Sequence, residues 1–186
     1  MKHAPPAVLF YLDGTLTDPF IGITGSLQHA IGEMGREPPP RDELRRFIGP
    51  PIHQTFLAIF GDEALASQAL GHYRKRYGEV GKFENELISG IVEALQAAVE
   101  AEQTLFVATS KLKSHAIDII EHFNLSGFFR GIHGSEPDGT RADKGELIRH
   151  ILETEGLAAG RSVMIGDRLH DVVGATKNEL PAIGVL

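Results

Sequence analysis

The sequence predicts an α/β fold, a parallel sheet with helices on both faces and a helical insertion after its first strand. Short apolar, β-branched runs alternate with longer segments of helical period. The connections between runs are long enough for crossover helices, which makes the strands parallel and the crossovers right-handed. One interval, from Pro19 to about Asn85, contains no convincing strand and marks the insertion.

The first strand is AVLFYL (7–12), and it breaks into the loop DGTLTD (13–18). Ile23, Leu27, Ala30, Ile31 and Met34 then recur at helical spacing. Pro38, Pro39 and Pro40 interrupt them, a short helical stretch runs to Ile48, and Gly49, Pro50 and Pro51 break the chain again. A further helix is expected through Leu65, Ala69, Tyr73 and Tyr77. Residues 91–101 follow, with Ile91, Val92, Leu95, Ala98 and Val99 on one face and Ser89 as the expected cap. TLFVA (104–108), GIH (131–133), SVMI (162–165) and PAIGVL (181–186) read as strands, with a helix over 144–154 through Leu147, Ile148, Ile151 and Leu152. The expected division is a core of residues 1–17 and 86–186 and a helical cap of 18–85, placed to act as a lid.

A chain of 186 residues buries roughly 70% of its unfolded surface, enough for one core and an appendage. Hydrophobic residues at 42% and charged residues at 23% exclude a disordered chain. No apolar run reaches the ~18 residues of a spanning helix, and MKHAPPAVLF is too short and too broken by Pro5 and Pro6 for a secretory signal. A cytoplasmic location and no membrane partner are expected. With 18 basic against 25 acidic residues, the net charge of −7 repels a polyanion, so no nucleic-acid partner is expected. There is no cysteine, so any metal is held by oxygen or imidazole and any nucleophile is not a thiolate. A monomer is expected, with a dimer as the alternative.

Ligands of such sheets bind beyond the carboxyl ends of the strands. Those ends carry Asp13, Gly14 and Thr15; then Thr109, Ser110 and Lys111; then Asp143 and Lys144; then Gly166 and Asp167, with Asp171 four residues on. Asp167 and Asp171 would share a face at a helix start, suited to hydrated Mg²⁺. Thr109 and the amides after Asp13 can donate to phosphate oxygens, Lys144 can offset their charge, and Asp13 can move a proton. Each residue alone has a plainer reading as turn, cap or solvated charge. Together, at four strand ends, they point to a phosphate and metal crevice.

LDGTLTD (12–18), VATSK (107–111), ADKGELI (142–148) and MIGDRLHDVVGA (164–175) together resemble the four motifs of the haloacid dehalogenase superfamily. FIGPPI (47–52) and GSEPDGTRADKGELI (134–148) are similar to its phosphoglycolate phosphatase and 5'-nucleotidase-like branch. The resemblance implies a Rossmann-like core, an inserted helical cap, and Mg²⁺-dependent hydrolysis of a small phosphorylated metabolite or nucleoside monophosphate through an aspartyl-phosphate. It implies Asp13 as acid and base, and Gly14, Thr15, Thr109, Ser110 and Lys144 around the phosphoryl group. Asp13, through its carbonyl, Asp167 and Asp171 would serve Mg²⁺. It also implies a further loop and helix after the fifth strand, without which one side of the sheet is less covered.

The first motif departs from the family pattern, because the position of the attacking aspartate holds Tyr11. A phenol of pKa near 10 is a poor ligand for Mg²⁺ and a poor nucleophile at pH 7. It also leaves Lys144 less compensated, so impaired catalysis with a retained fold is expected. Tyr11 equally suits a strand, where aromatics pack well. The alternative is a non-catalytic phosphate- or partner-binding module in the same crevice. His53, His170, Arg45, Arg46 and Lys82 stay outside the expected site.

Overall fold

A computed structural model of the protein describes residues 6–49 and 51–185. The parts of the expected cap motif and last strand at Pro50 and Leu186, and the first five residues, lie outside these. The chain forms two compact units, one comprising the chain up to Asp18 and from Leu87 on, the other Pro19–Glu86.

In the first unit, β1 (Ala7–Phe10) is the middle strand of the sheet. Tyr11 continues its ladder, donating its amide to the Ile165 carbonyl at 2.8 Å. The chain leaves through β2 (Thr17–Asp18).

The second unit starts with α1 (Phe20–Glu33) and continues through α2 (Arg41–Leu44) and a 3₁₀ turn at Arg45–Phe47. Then come α3 (Ile52–Phe60) and α4 (Glu63–Arg76), closing in a π turn at Tyr77–Gly81. Where one helix was expected after Pro51, two form. Pro51 stands at the N-cap of α3, where a missing N–H costs nothing, and Gly61 ends it with a φ of 70°. Asp62 then caps α4 by accepting from the Leu65 amide at 2.9 Å. Leu65 is consequently exposed, and Ala66 takes the buried position. Ile23, Leu27, Ile31, Leu44, Phe56, Phe60, Tyr73 and Tyr77 make the core of this unit.

The chain returns through β3 (Glu86–Leu87), which pairs with β2. It then runs through α5 (Ile91–Glu100), β4 (Thr104–Leu112), α6 (Lys113–His122), β5 (Phe129–Ser135), α7 (Lys144–Glu155), β6 (Ser162–Gly166), α8 (Leu169–Lys177) and β7 (Ala182–Gly184). The sheet order is β5-β4-β1-β6-β7, and all pairings are parallel. Gly90, at a φ of 80°, caps α5 in place of the expected Ser89. Val92 and Val99, expected on the buried face of α5, are exposed, and Ile91 and Leu95 carry its packing.

Side-chain alternation along β1 sorts the core into two layers. Val8, Phe10 and Leu12 pack with Leu95, Ile119 and Ile120 of α5 and α6. Ala7, Leu9 and Tyr11 pack with Leu147, Ile148, Ile151 and Ala175 of α7 and α8. Full burial of each large aliphatic side chain contributes about 1.5–3 kcal/mol, which secures β1 between two helical layers. The same alternation turns position 11 toward the start of α7.

Candidate functional site

Tyr11 is buried at the end of the β1 ladder, and α7 begins with Lys144 above its ring. The Lys144 ammonium lies 3.9 Å from the ring centroid. It also stands 2.9 Å from Asp171 Oδ1 and donates to the Ala108 carbonyl at 3.1 Å. The loss of a carboxylate at position 11 therefore does not leave Lys144 uncompensated. The π face, a carbonyl and Asp171 surround it. Burial pushes the Lys144 pKa below its ordinary value, against the pull of Asp171, Asp13 and Asp167. Burial likewise holds the Tyr11 phenol well above its ordinary value, and the charges of Asp13, Asp171 and Asp167 push it the same way. Tyr11 is a neutral phenol at pH 7.

The loop after β1 brings in the next residues. Gly14 has a φ of 92°, and a Cβ there would run into the Asp167 carboxylate, so both the turn and the close approach require glycine. The Gly14 amide donates to the Thr17 carbonyl at 2.6 Å, and the Thr15 and Leu16 amides donate to Leu12 at 3.3 and 2.9 Å. The amides expected to reach a phosphate are thus spent on closing the loop. The Thr15 hydroxyl points to Asp167 Oδ1 at 3.5 Å, a weak contact.

Thr109 and Ser110 lie within β4, which runs four residues beyond the expected strand. Between Ala108 and Leu112 the register slips, with four steps of β4 matched by two of β5, from His133 to Ser135. This bulge lifts Thr109, Ser110 and Lys111 out of the regular ladder, a common device beside a site. Thr109 is fully buried, and its hydroxyl accepts from the Lys111 amide at 3.2 Å. Ser110 is half-buried. Lys111, unassigned in the sequence reading, ion-pairs with Asp13 Oδ1 at 2.9 Å, both side chains being nearly buried.

Asp167 precedes α8 rather than sharing a helix face with Asp171. Arg168 is the N-cap, and Asp171 reaches back from the first turn to accept from its amide at 3.2 Å. Gly166 permits this, since a Cβ there would collide with the Asp171 carboxylate. The Arg168 Nε lies 2.9 Å from Asp167 Oδ2. Burial raises the Asp167 pKa, and Arg168 opposes the rise. The two pairings escaped the sequence reading: Lys111 stood among the strand-end residues without a role, and Arg168 lay unremarked beside Asp167 within its motif.

Tyr11, Asp13, Gly14, Thr15, Lys144, Asp167 and Asp171 are thus brought together beyond the carboxyl ends of the interior strands β1 and β6. Among the described residues, no three carboxylates or imidazoles stand as a set able to hold a metal ion. Each of the three carboxylates instead carries its own protein cation, at 2.9 Å. With a neutral phenol at position 11, this donor set does not fit Mg²⁺ in the manner the resemblance implies.

Outside this group, His53 pairs with Glu63 at 3.1 Å, Arg45 lies over the Phe20 ring, and His170 is exposed. No helix among the described residues is long and apolar enough to cross a membrane.

The profile of the family described as haloacid dehalogenase-like hydrolase matches residues 8–185. A 5'-nucleotidase of Pseudomonas aeruginosa is 50% identical over 181 residues, covering 97% of this chain and 82% of that protein. The tyrosine-protein kinase PtkA of Mycobacterium tuberculosis is 37% identical over 183 residues, covering 98% of this chain and 62% of that protein. The structure of a haloacid dehalogenase-like family hydrolase from Streptococcus pneumoniae superposes with a TM-score of 0.91 at 31% identity, covering 98% of this chain and 85% of that one.

Proposed function

The chain belongs to the haloacid dehalogenase-like hydrolases, and on that footing we propose that it is a phosphomonoester hydrolase whose hydrolytic step is silenced by Tyr11. Its substrate class is a small phosphorylated metabolite, nucleoside monophosphates included. The relative named 5'-nucleotidase, half identical to this chain, supports that class. The observation that carries the proposal is the environment of Tyr11, a buried phenol whose pKa is raised by burial and by three carboxylates. The charge of Arg168 pulls the other way but is outweighed, so the phenol stays protonated at pH 7. Asp13 is held beside the position from which attack on phosphorus would start, and Lys144 is fixed to receive phosphoryl charge.

An aspartate at position 11 would restore the missing nucleophile and, beside Asp167, a second anionic oxygen donor for Mg²⁺, the cation this family generally uses to neutralise phosphoryl charge. The substrate class is tested by assaying Tyr11→Asp in Mg²⁺ against 5'-nucleotides, phosphoglycolate and sugar phosphates. One class is expected to exceed the others in kcat/KM by at least about tenfold. A folded variant that hydrolyses none of them overturns the proposal.

A second reading, a non-catalytic phosphate-binding module, is favoured by the complete coordination of Lys144 without any carboxylate at position 11. It expects phosphate to bind the natural chain while Tyr11→Asp gains no turnover.

A further inference from the structure

The three carboxylates of the site, Asp13, Asp167 and Asp171, are matched by Lys111, Lys144 and Arg168, each pair at 2.9 Å. Three negative charges against three positive leave the group electroneutral with no metal ion. A carboxylate at position 11 would add one negative charge, and a phosphate dianion entering such a site would need a divalent cation to offset the repulsion. Tyr11 removes that need. We propose that the crevice of this chain takes a phosphate-type anion without a divalent cation, Lys111 and Arg168 supplying the positive charge a metal would otherwise bring. The inference rests on the phosphate-ester reading of the site given above.

The three pairs differ in how readily they open. The side chains of Lys144 and Asp171 are 5% and 2% exposed, so this pair stays closed as part of the core. Lys144 is further tied to the Ala108 carbonyl and the Tyr11 ring. Arg168 is the opposite case in exposure, with a side chain 40% exposed; Asp13 Oδ1, Asp171 Oδ1 and Arg168 Nε are alike in meeting their partners as ion pairs without hydrogen-bond geometry. The planar Arg168 fork can turn from Asp167 to two phosphate oxygens at little cost in desolvation. Lys111 sits on the bulged part of β4, where its ammonium neutralises Asp13. A metal ion competing for Asp167 must displace the guanidinium, and no second carboxylate at position 11 rewards it.

The test is calorimetric titration of inorganic phosphate into the full chain, once in EDTA and once in excess Mg²⁺, with Mn²⁺ binding followed separately by electron paramagnetic resonance. Phosphate affinities in the two buffers are expected to agree within about twofold, and Arg168→Ala, shown folded by circular dichroism, to weaken binding in EDTA about tenfold or more. Tyr11→Asp is expected to bind Mn²⁺ and to gain about tenfold in phosphate affinity on adding Mg²⁺. An affinity of the natural chain that rises about tenfold with Mg²⁺, or tight Mn²⁺ binding by the natural chain, overturns the inference. So does absence of phosphate binding in both buffers, and in that case turnover by Tyr11→Asp decides separately whether the phosphatase reading survives.

Discussion

At the scale of single residues, Lys144 ties together the strand, the helix and the chemistry. It opens α7, covers the Tyr11 ring and pairs with Asp171 inside the core. Removing one partner of a buried pair leaves the other charge uncompensated, so Lys144→Ala should lower unfolding stability by about 3–5 kcal/mol. Urea unfolding measures this, and a loss below 1 kcal/mol on the same scale would place Lys144 at the solvent rather than in the core. The sequence marked Tyr11, Asp13, Lys144, Asp167 and Asp171 from their places at strand ends, and the structure gathers them. It could not reveal that Lys111 neutralises Asp13, a pairing between strand ends far apart in the chain, or that Arg168 turns back on its neighbour Asp167, which depends on side-chain direction. Nor could it show that the loop amides close on Leu12 and Thr17.

At the scale of elements, β5 and α7 meet in a second charged cluster away from the proposed site. His133 on β5 is 8% exposed, with Nε2 3.2 Å from Glu155 Oε1 on α7. The rings of Phe106 and His150 lie 6.0 and 6.1 Å away. Burial pushes the His133 pKa below 6.5, Glu155 opposes this, and Lys113 and His150 add to it. The folded chain then binds fewer protons here than the unfolded chain, so stability is unaffected above the unfolded pKa and falls as pH drops through 6.5. The melting temperature of His133→Gln should accordingly decline less steeply than that of the natural chain on acidification from pH 7. Identical slopes would show that His133 does not set this dependence. The five strands of the parallel sheet were legible at this scale from apolar runs bounded by turn residues, whereas the two-residue strands β2 and β3 were too short to leave such a run. The split of the cap helix was not, because Pro51 reads as a breaker in sequence while it serves as a helix start in three dimensions.

At the scale of the whole molecule, the two compact units each have their own core; the strandless interval marked the helical insertion, while the sequence led to the expectation of one core with an appendage. The net charge of −7 argues against a polyanionic ligand while leaving a small one admissible where local cations gather. Fluorescence anisotropy of labelled duplex DNA should stay flat on titration with the protein at low salt, where electrostatic attraction would be strongest, and a salt-sensitive complex would contradict this. The proposed silencing of hydrolysis by Tyr11 belongs to this scale. It is tested most directly by hydrolysis of a chromogenic aryl phosphate in Mg²⁺ by the natural chain and by Tyr11→Asp under identical conditions. Turnover by the variant on the order of 10³-fold or more above the natural chain is the predicted result. Equal rates for the two chains, whether both high or both absent, would contradict it.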